Sequence, residues 1–260
     1  MIVLNSAVAA FLRSGIVKIP RALDFSDGSL LNIWRQDILD CLADAPRGLA
    51  APPPSKKVRL KELSPDVWAL CEALLGGSDA VEEGWFTNGP VANIGPNPAQ
   101  SFGWHVDGDS FQHYLDSPEQ SLLIIVLWTD VVETSGPTLI LPDSVRPVAE
   151  ALQAAQDGCE QMGLPYADIV ADCQPPTKLC GQAGDVFLMH PFVVHTASPK
   201  ADSGIRLISN PVIRRKKPFI LRDGGDCPVS AYTLSKLGVR SVDLPSRPSH
   251  ERIVPPRLKP

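Results

Sequence analysis

Trp104-His105-Val106-Asp107 places an imidazole and a carboxylate two residues apart. On an extended segment, side chains at i and i+2 leave the same face, so both can reach one metal ion. Alone the pair says little: five histidines and 20 aspartates in 260 residues give 5 × 20/260, or about 0.4 chance occurrences of His-x-Asp. A third donor far along the chain changes its meaning. Gly184 to His195 reads as a turn, a strand, a break at Pro191 and a second strand, and it carries His190 and His195. Two histidines and one carboxylate occupy one face of an octahedral iron(II) and leave the opposite positions open for a co-substrate and oxygen. Zinc more often takes three histidines or cysteine-containing sets, and the six cysteines are remote from these motifs in sequence.

His190 and His195 compete for the third place. Five residues apart, they face opposite sides of a straight strand, although Pro191 interrupts that strand and weakens the parity argument. Local reasoning favours His195 without excluding His190, because Arg206 follows eleven residues later on a β-type run between Ile205 and Leu207. A guanidinium there suits bidentate pairing with the distal carboxylate of 2-oxoglutarate. His113 and His250 read as surface or loop residues, and Asp109 and Asp185 as turn residues.

The elements that must position these groups fall into three stretches. Residues 1 to 83 read mainly as helix, with a short amphipathic start at Ala7 to Leu12 and a strand at Ile16 to Ile19 ending at Pro20. A helix over Ser29 to Leu42 follows, then a proline-rich loop over 47 to 55. A further helix is opened by Ser64 and Pro65 and stopped at Gly76-Gly77. From 84 to 215 the texture is short β-type runs: Pro90 to Ile94, Phe102 to Asp107, Leu122 to Thr129, Thr138 to Leu141, Asp185 to His190, Phe192 to Thr196 and Ile205 to Val212. Leu122 to Trp128 is too apolar to alternate and is expected to be buried on both faces, while Pro147 to Gln156 reads as a helical insertion. Residues 216 to 260 form an extension with one helix near Ser230 to Leu237 and a proline-rich tail. Many short strands between turns suggest a mainly β jelly roll, or double-stranded β-helix, with flanking helices, and a single domain over 1 to 260.

Composition narrows the function. The chain is 44% hydrophobic and 20% charged, as expected of a chain with a real core. A net charge of −5 gives no basic face for nucleic acid. The basic run Arg214-Arg215-Lys216-Lys217 reads as a solvated edge, with the attraction of an anionic substrate as the alternative. The six cysteines form no CxxC pair and read as free, mostly buried thiols of a reducing compartment. No secretory signal, peroxisomal C-terminal address or membrane-length apolar run is seen, so the cytoplasm is expected.

The order His105-x-Asp107, Trp128-Thr129-Asp130, Ser135-Gly136-Pro137, Leu141-Pro142-Asp143-Ser144, Gly184-Asp185-Val186, His195 and Arg206 resembles the phytanoyl-CoA dioxygenase family. The likeness runs over roughly residues 84 to 213, with a looser echo at Phe11 to Val17. It implies a jelly-roll iron(II)- and 2-oxoglutarate-dependent dioxygenase using O2, with ascorbate as an auxiliary reductant. It assigns His105, Asp107 and His195 to iron, and so settles His195 over His190. It gives Arg206 to 2-oxoglutarate and matches Trp128 to a family tryptophan near the co-substrate, with a core aromatic as the alternative; Asn93, on the preceding strand, is a further candidate to touch the co-substrate. Where family members often carry a hydroxyl residue two after the second histidine, this chain has Ala197. Related halogenases replace the carboxylate of the motif with a small residue, so Asp107 points to hydroxylation or another oxidative outcome. The substrate is expected to be a small molecule, an acyl-CoA or other anionic metabolite among the options, with loops near 108 to 119 and beyond 216 as selecting elements. The competing readings are a metal-binding jelly roll without turnover and a zinc-dependent hydrolase.

Overall fold

The computed structural model describes residues 4–98 and 103–244; Phe102, His250 and the tail beyond 244 lie outside the described residues. Helix α1 (Leu4–Ser14) leads through Gly15 into strand β1 (Ile16–Ile19). Helix α2 (Leu30–Cys41) starts at Ser29, whose hydroxyl accepts from the Asn32 backbone N–H at 3.2 Å, the N-cap that its sequence suggests. Strands β2 (Gly48–Ala50) and β3 (Lys57–Arg59) precede helices α3 (Leu60–Leu63) and α4 (Pro65–Leu75). The second of these opens on Ser64 and Pro65 and ends at Gly76, in the left-handed conformation that lacks a Cβ penalty. Then follow β4 (Trp85–Thr87), β5 (Val91–Ile94), β6 (Leu123–Leu127), β7 (Thr138–Leu141), α5 (Val145–Ala154) and α6 (Tyr166–Asp172). The chain continues through β8 (Thr177–Leu179), β9 (Val186–Met189), β10 (Val194–Ala197), β11 (Ile205–Ser209) and α7 (Pro228–Leu237).

All strand pairings are antiparallel. Six strands form one sheet in the order β1-β9-β6-β11-β5-β2, three form a second in the order β10-β7-β8, and β3 pairs with β4. Every residue of β6 is buried, as its uninterrupted apolar run requires. Helices α1, α4, α5 and α7 pack on one another, with α1 also against β1.

Several expectations need correcting. The loop at 47 to 55 contains β2, and β1 and β2 are the two edges of the six-stranded sheet, so the front of the chain is more than a helical cover. No strand forms over the described part of 102 to 107: His105 makes a single bridge to His195. Only two of the six cysteines, Cys71 and Cys227, are buried, although all six are free. His113 is buried rather than on the surface, with Nε2 2.7 Å from the Gly108 carbonyl oxygen. The basic run is split: Arg215 turns inward, pairs with Asp226 at 2.6 Å and lies over the Phe219 ring. Trp128 belongs to the core, stacked on Phe86 and edge-on to Phe25, with its indole N–H donated to Ser209 Oγ at 2.8 Å.

Asp185, at the turn into β9, ties that turn to the front of the chain. Its carboxylate accepts from the Arg21 and Gln182 backbone N–H groups at 2.9 and 3.0 Å and pairs with Lys18 at 2.8 Å. Burial works against its ionisation, but these contacts outweigh it and hold the carboxyl below its ordinary value. Its contribution is therefore present above the unfolded value of about 4 and is lost as pH falls through the lower folded one. Asp185→Ala orphans two amide donors and is expected to cost about 2–3 kcal/mol, read as a lower urea midpoint at unchanged slope. The deficit should shrink in acid.

Candidate metal centre

His105, Asp107 and His195 each offer one ligand atom, and these atoms all lie within 4.8 Å of one another. The arrangement begins in the backbone. His105 N–H donates to the His195 carbonyl at 3.0 Å and His195 N–H donates back at 2.8 Å, so the two residues are locked opposite each other. Their rings lie with centroids 4.4 Å apart. In both, Nδ1 is turned to a carbonyl two residues back, Gly103 at 2.7 Å and Val193 at 3.1 Å. That fixes each ring and presents Nε2 to Asp107 Oδ1, at 3.7 Å for His105 and 3.3 Å for His195. The carboxylate's second oxygen, Oδ2, accepts from the Asn210 side-chain amide at 2.9 Å.

Past the single bridge at His105 the ladder stops, so Val106 needs other partners for its peptide groups. Tyr166 on α6 supplies one, its hydroxyl accepting from Val106 N–H at 3.2 Å, and the Gln161 side chain donates to the Val106 carbonyl. A segment outside the sheets thereby holds the His-x-Asp turn.

The charges suit a cation. Burial works against ionisation of Asp107, but the pull of His195, the Asn210 amide and His105 outweighs it, and the carboxyl titrates at about 2. Burial also disfavours protonation of His195, yet Asp107 beside it raises the imidazole above its ordinary value. His105 is lowered, by burial and then by His195.

His190 is not part of this cluster. It is fully buried with Nε2 2.9 Å from Thr233 Oγ1, and burial pushes its imidazole down to about 3. Trp128 does not line the cavity described next. Arg206 does: it is 2% exposed on β11, and its Nε and Nη1 have no hydrogen-bond partner. Burial alone draws its guanidinium down to about 10. Asn93 is its cross-strand partner on β5, buried, with Nδ2 also unpartnered. A cavity of about 80 Å³ joins Arg206 to His105, Asp107 and His195, walled by Leu49, Val91, Ile125, Thr138, Thr196, Ala197, Ile208 and Asn210. A larger cleft of about 600 Å³ opens on the outer side of His105 and Asp107. Trp104, Gly108, Asp109, Ser110, Phe111, Gln120, Gln161, Met162, Val212 and Arg214 are among the residues that line it. Part of the 108 to 119 loop is thus at the cleft, whereas no residue after 214 lines it.

Residues 47–208 match the phytanoyl-CoA dioxygenase (PhyH) family model. The chain belongs to the phytanoyl-CoA dioxygenase family. It is accordingly an enzyme, of the non-haem iron, 2-oxoglutarate-dependent class, which sets aside a metal-binding module without turnover. Among solved structures the family fold is found in the non-heme alpha ketoglutarate dependent epimerase SnoN from nogalamycin biosynthesis. That protein is 18% identical with a TM-score of 0.52, over 83% of this chain and 84% of that one. AviO1 from Streptomyces viridochromogenes Tue57 is 14% identical with a TM-score of 0.54, over 84% of this chain and 97% of that one. No protein of curated function matches the sequence. Among the described residues, no helix is long and apolar enough to cross a membrane.

Asn210, Tyr166, Gln161 and Thr138 carry no site role in the sequence motifs. Asn210 carried a usable signal: it stands four after Arg206, so on a continuing strand Arg206, Ile208 and Asn210 share one face. Asn210→Ala leaves Asp107 Oδ2 without its amide donor. It is expected to weaken binding of iron(II), titrated anaerobically, by about 10- to 100-fold while the melting temperature changes little.

Proposed function

We propose that this chain is an iron(II)- and 2-oxoglutarate-dependent dioxygenase that hydroxylates a small organic substrate, with iron on His105, Asp107 and His195. The observation that carries the reading is the unpartnered guanidinium of Arg206, buried in the same cavity as the three donors. A buried charge without a counter-ion costs several kcal/mol, and a dicarboxylate reaching from the donors to Arg206 would remove that cost. The donor set fits iron(II) chemically: two imidazoles and one carboxylate, the facial triad of non-haem iron oxygenases.

When bound, iron and 2-oxoglutarate supply the activation of O2, and the overall change converts substrate C–H, O2 and 2-oxoglutarate into C–OH, succinate and CO2. The chain's own residues do the positioning. The Gly103 and Val193 carbonyls hold the two imidazoles in one tautomer, and Asn210 keeps Asp107 from rotating. Arg206 receives the distal carboxylate, with Asn93 beside it. Leu49, Val91, Ile125 and Ile208 wall the cavity and exclude water that would waste the oxidant. Trp128 acts through the core, not through the co-substrate.

The substrate enters from the outer cleft, where Trp104, Phe111 and Met162 offer apolar contact and Gln120 and Arg214 offer polar contact. Arg214 is the one member of the basic run that lines this cleft, which favours an anionic metabolite, acyl-CoA esters included. We further propose one domain over 1–260 with the double-stranded β-helix as its fold. Residues 84–215 form the catalytic core, 1–83 its mainly helical front, and 216–260 an extension. The cavity between the six- and three-stranded sheets supports the β-helix. Six free thiols support a reducing, cytoplasmic setting, with ascorbate as reductant.

Succinate formation from 2-oxoglutarate in air, with added iron(II) and ascorbate, tests the assignment. His195→Ala is expected to abolish turnover. Arg206→Ala should raise the 2-oxoglutarate requirement at least about 100-fold, and Arg206→Lys should rescue it poorly because a point charge cannot replace the bidentate fork. Iron binding lost in His195→Ala but kept in Arg206→Ala would separate the two roles. Wild-type protein that binds neither iron nor 2-oxoglutarate would sink the proposal.

A further inference from the structure

We infer that Thr138 supplies the hydroxyl that holds the distal carboxylate of 2-oxoglutarate alongside Arg206. The inference rests on the 2-oxoglutarate reading above and assigns a further residue to it. On β10, side chains alternate, so His195 and Ala197 share the face turned to the cavity, and Ala197 offers no hydrogen bond there. Strand β7 pairs with β10 in the register Ala197↔Thr138. Directly opposed residues of an antiparallel pair project from the same face, with Cβ atoms about 5 Å apart. Thr138 therefore reaches the space beside Ala197 from the neighbouring strand.

Three observations support that placement. Thr138 is 5% exposed and lines the cavity that also contains His195, Ala197 and Arg206. Its hydroxyl makes no hydrogen bond to the described residues, so it is available to a ligand. Of the other hydroxyls nearby, Ser198 donates its proton to the Pro137 carbonyl at 2.6 Å, Ser209 and Thr129 do not line this cavity, and Thr196, which does, already has a partner. An O–H donor added to a guanidinium gives both carboxylate oxygens a partner and fixes the chelating end of the molecule over the three metal donors.

The test uses the iron(II)-loaded enzyme under anaerobic conditions and measures binding by calorimetry. Two probes are compared: 2-oxoglutarate, and 2-oxobutyrate, which keeps the keto acid but lacks the distal carboxylate. Thr138→Val preserves shape and removes the hydroxyl. It is expected to weaken 2-oxoglutarate about tenfold and to leave 2-oxobutyrate unchanged. Thr138→Ser should stay near wild type, and adding Ala197→Ser to Thr138→Val should recover most of the loss. Thr138→Ala, alone and with Ala197→Ser, repeats the comparison if the valine variant folds poorly. Unchanged 2-oxoglutarate affinity in Thr138→Val, or equal losses for both probes, would overturn the assignment. If Arg206→Ala also leaves 2-oxoglutarate binding intact, the parent reading fails with it; if Arg206→Ala alone abolishes binding, only the Thr138 assignment fails.

Discussion

An ionised guanidinium shut away from water needs an anion, and Arg206 on β11 has none among the described side chains. Its neighbours make the omission consequential. Ile205 and Leu207 anchor the strand, β5 and β6 close it in on both sides, and Asn93 opposite brings a second unsatisfied donor instead of a carboxylate. The folded protein therefore holds a buried positive charge at considerable cost, recoverable by a ligand that carries negative charge inward. The donor cluster across the same cavity requires the opposite sign, a cation. A molecule with one chelating end and one carboxylate end answers both requirements at once.

Backbone geometry, more than side-chain packing, sets the other end of the cavity. The reciprocal His105–His195 hydrogen bonds bring residues ninety positions apart into register, although only one residue of the 103 to 107 segment makes a bridge. Such a short bridge would fray by itself. Tyr166 and Gln161 take over the peptide groups that a longer ladder would have paired, and Asn210 takes the free carboxylate oxygen.

Much of this was legible in the chain itself. Ser64-Pro65 and Gly76 mark both ends of a helix by cap chemistry that depends on neighbours in sequence, and the buried run at Leu123 to Leu127 declares itself by composition. His105, Asp107, His195 and Arg206 stand out through the order of motifs that the chain shares with its family, since His-x-Asp alone is near chance and local spacing leaves His190 in competition. What stayed hidden depends on contacts between distant segments. Residues 48 to 50 form a strand only because β5 offers an edge, and proline-rich flanks disguise it. Tyr166 lies in a short helix with weak periodicity, and nothing local says that its hydroxyl meets Val106. Trp128, a large aromatic between functional motifs, reads equally well in sequence as site or as core; Phe86 and Phe25 claim its faces and Ser209 its N–H.

Ala197 shows where reading along one strand fails on principle. A motif specifies which residue follows which, but a cavity wall is specified by points in space, and in an antiparallel sheet each such point is shared by two strands. A hydroxyl lost from one strand can be regained from the residue opposite, at no change in its direction and with a separation of a few ångströms. Thr138 and Ala197 occupy such a pair, 59 positions apart in sequence and adjacent in register. The apparent departure at Ala197 thus concerns the strand that carries the group, and the chemistry available to the cavity is the same. Departures from a linear motif within a sheet are best judged against the partner strand before a function is doubted.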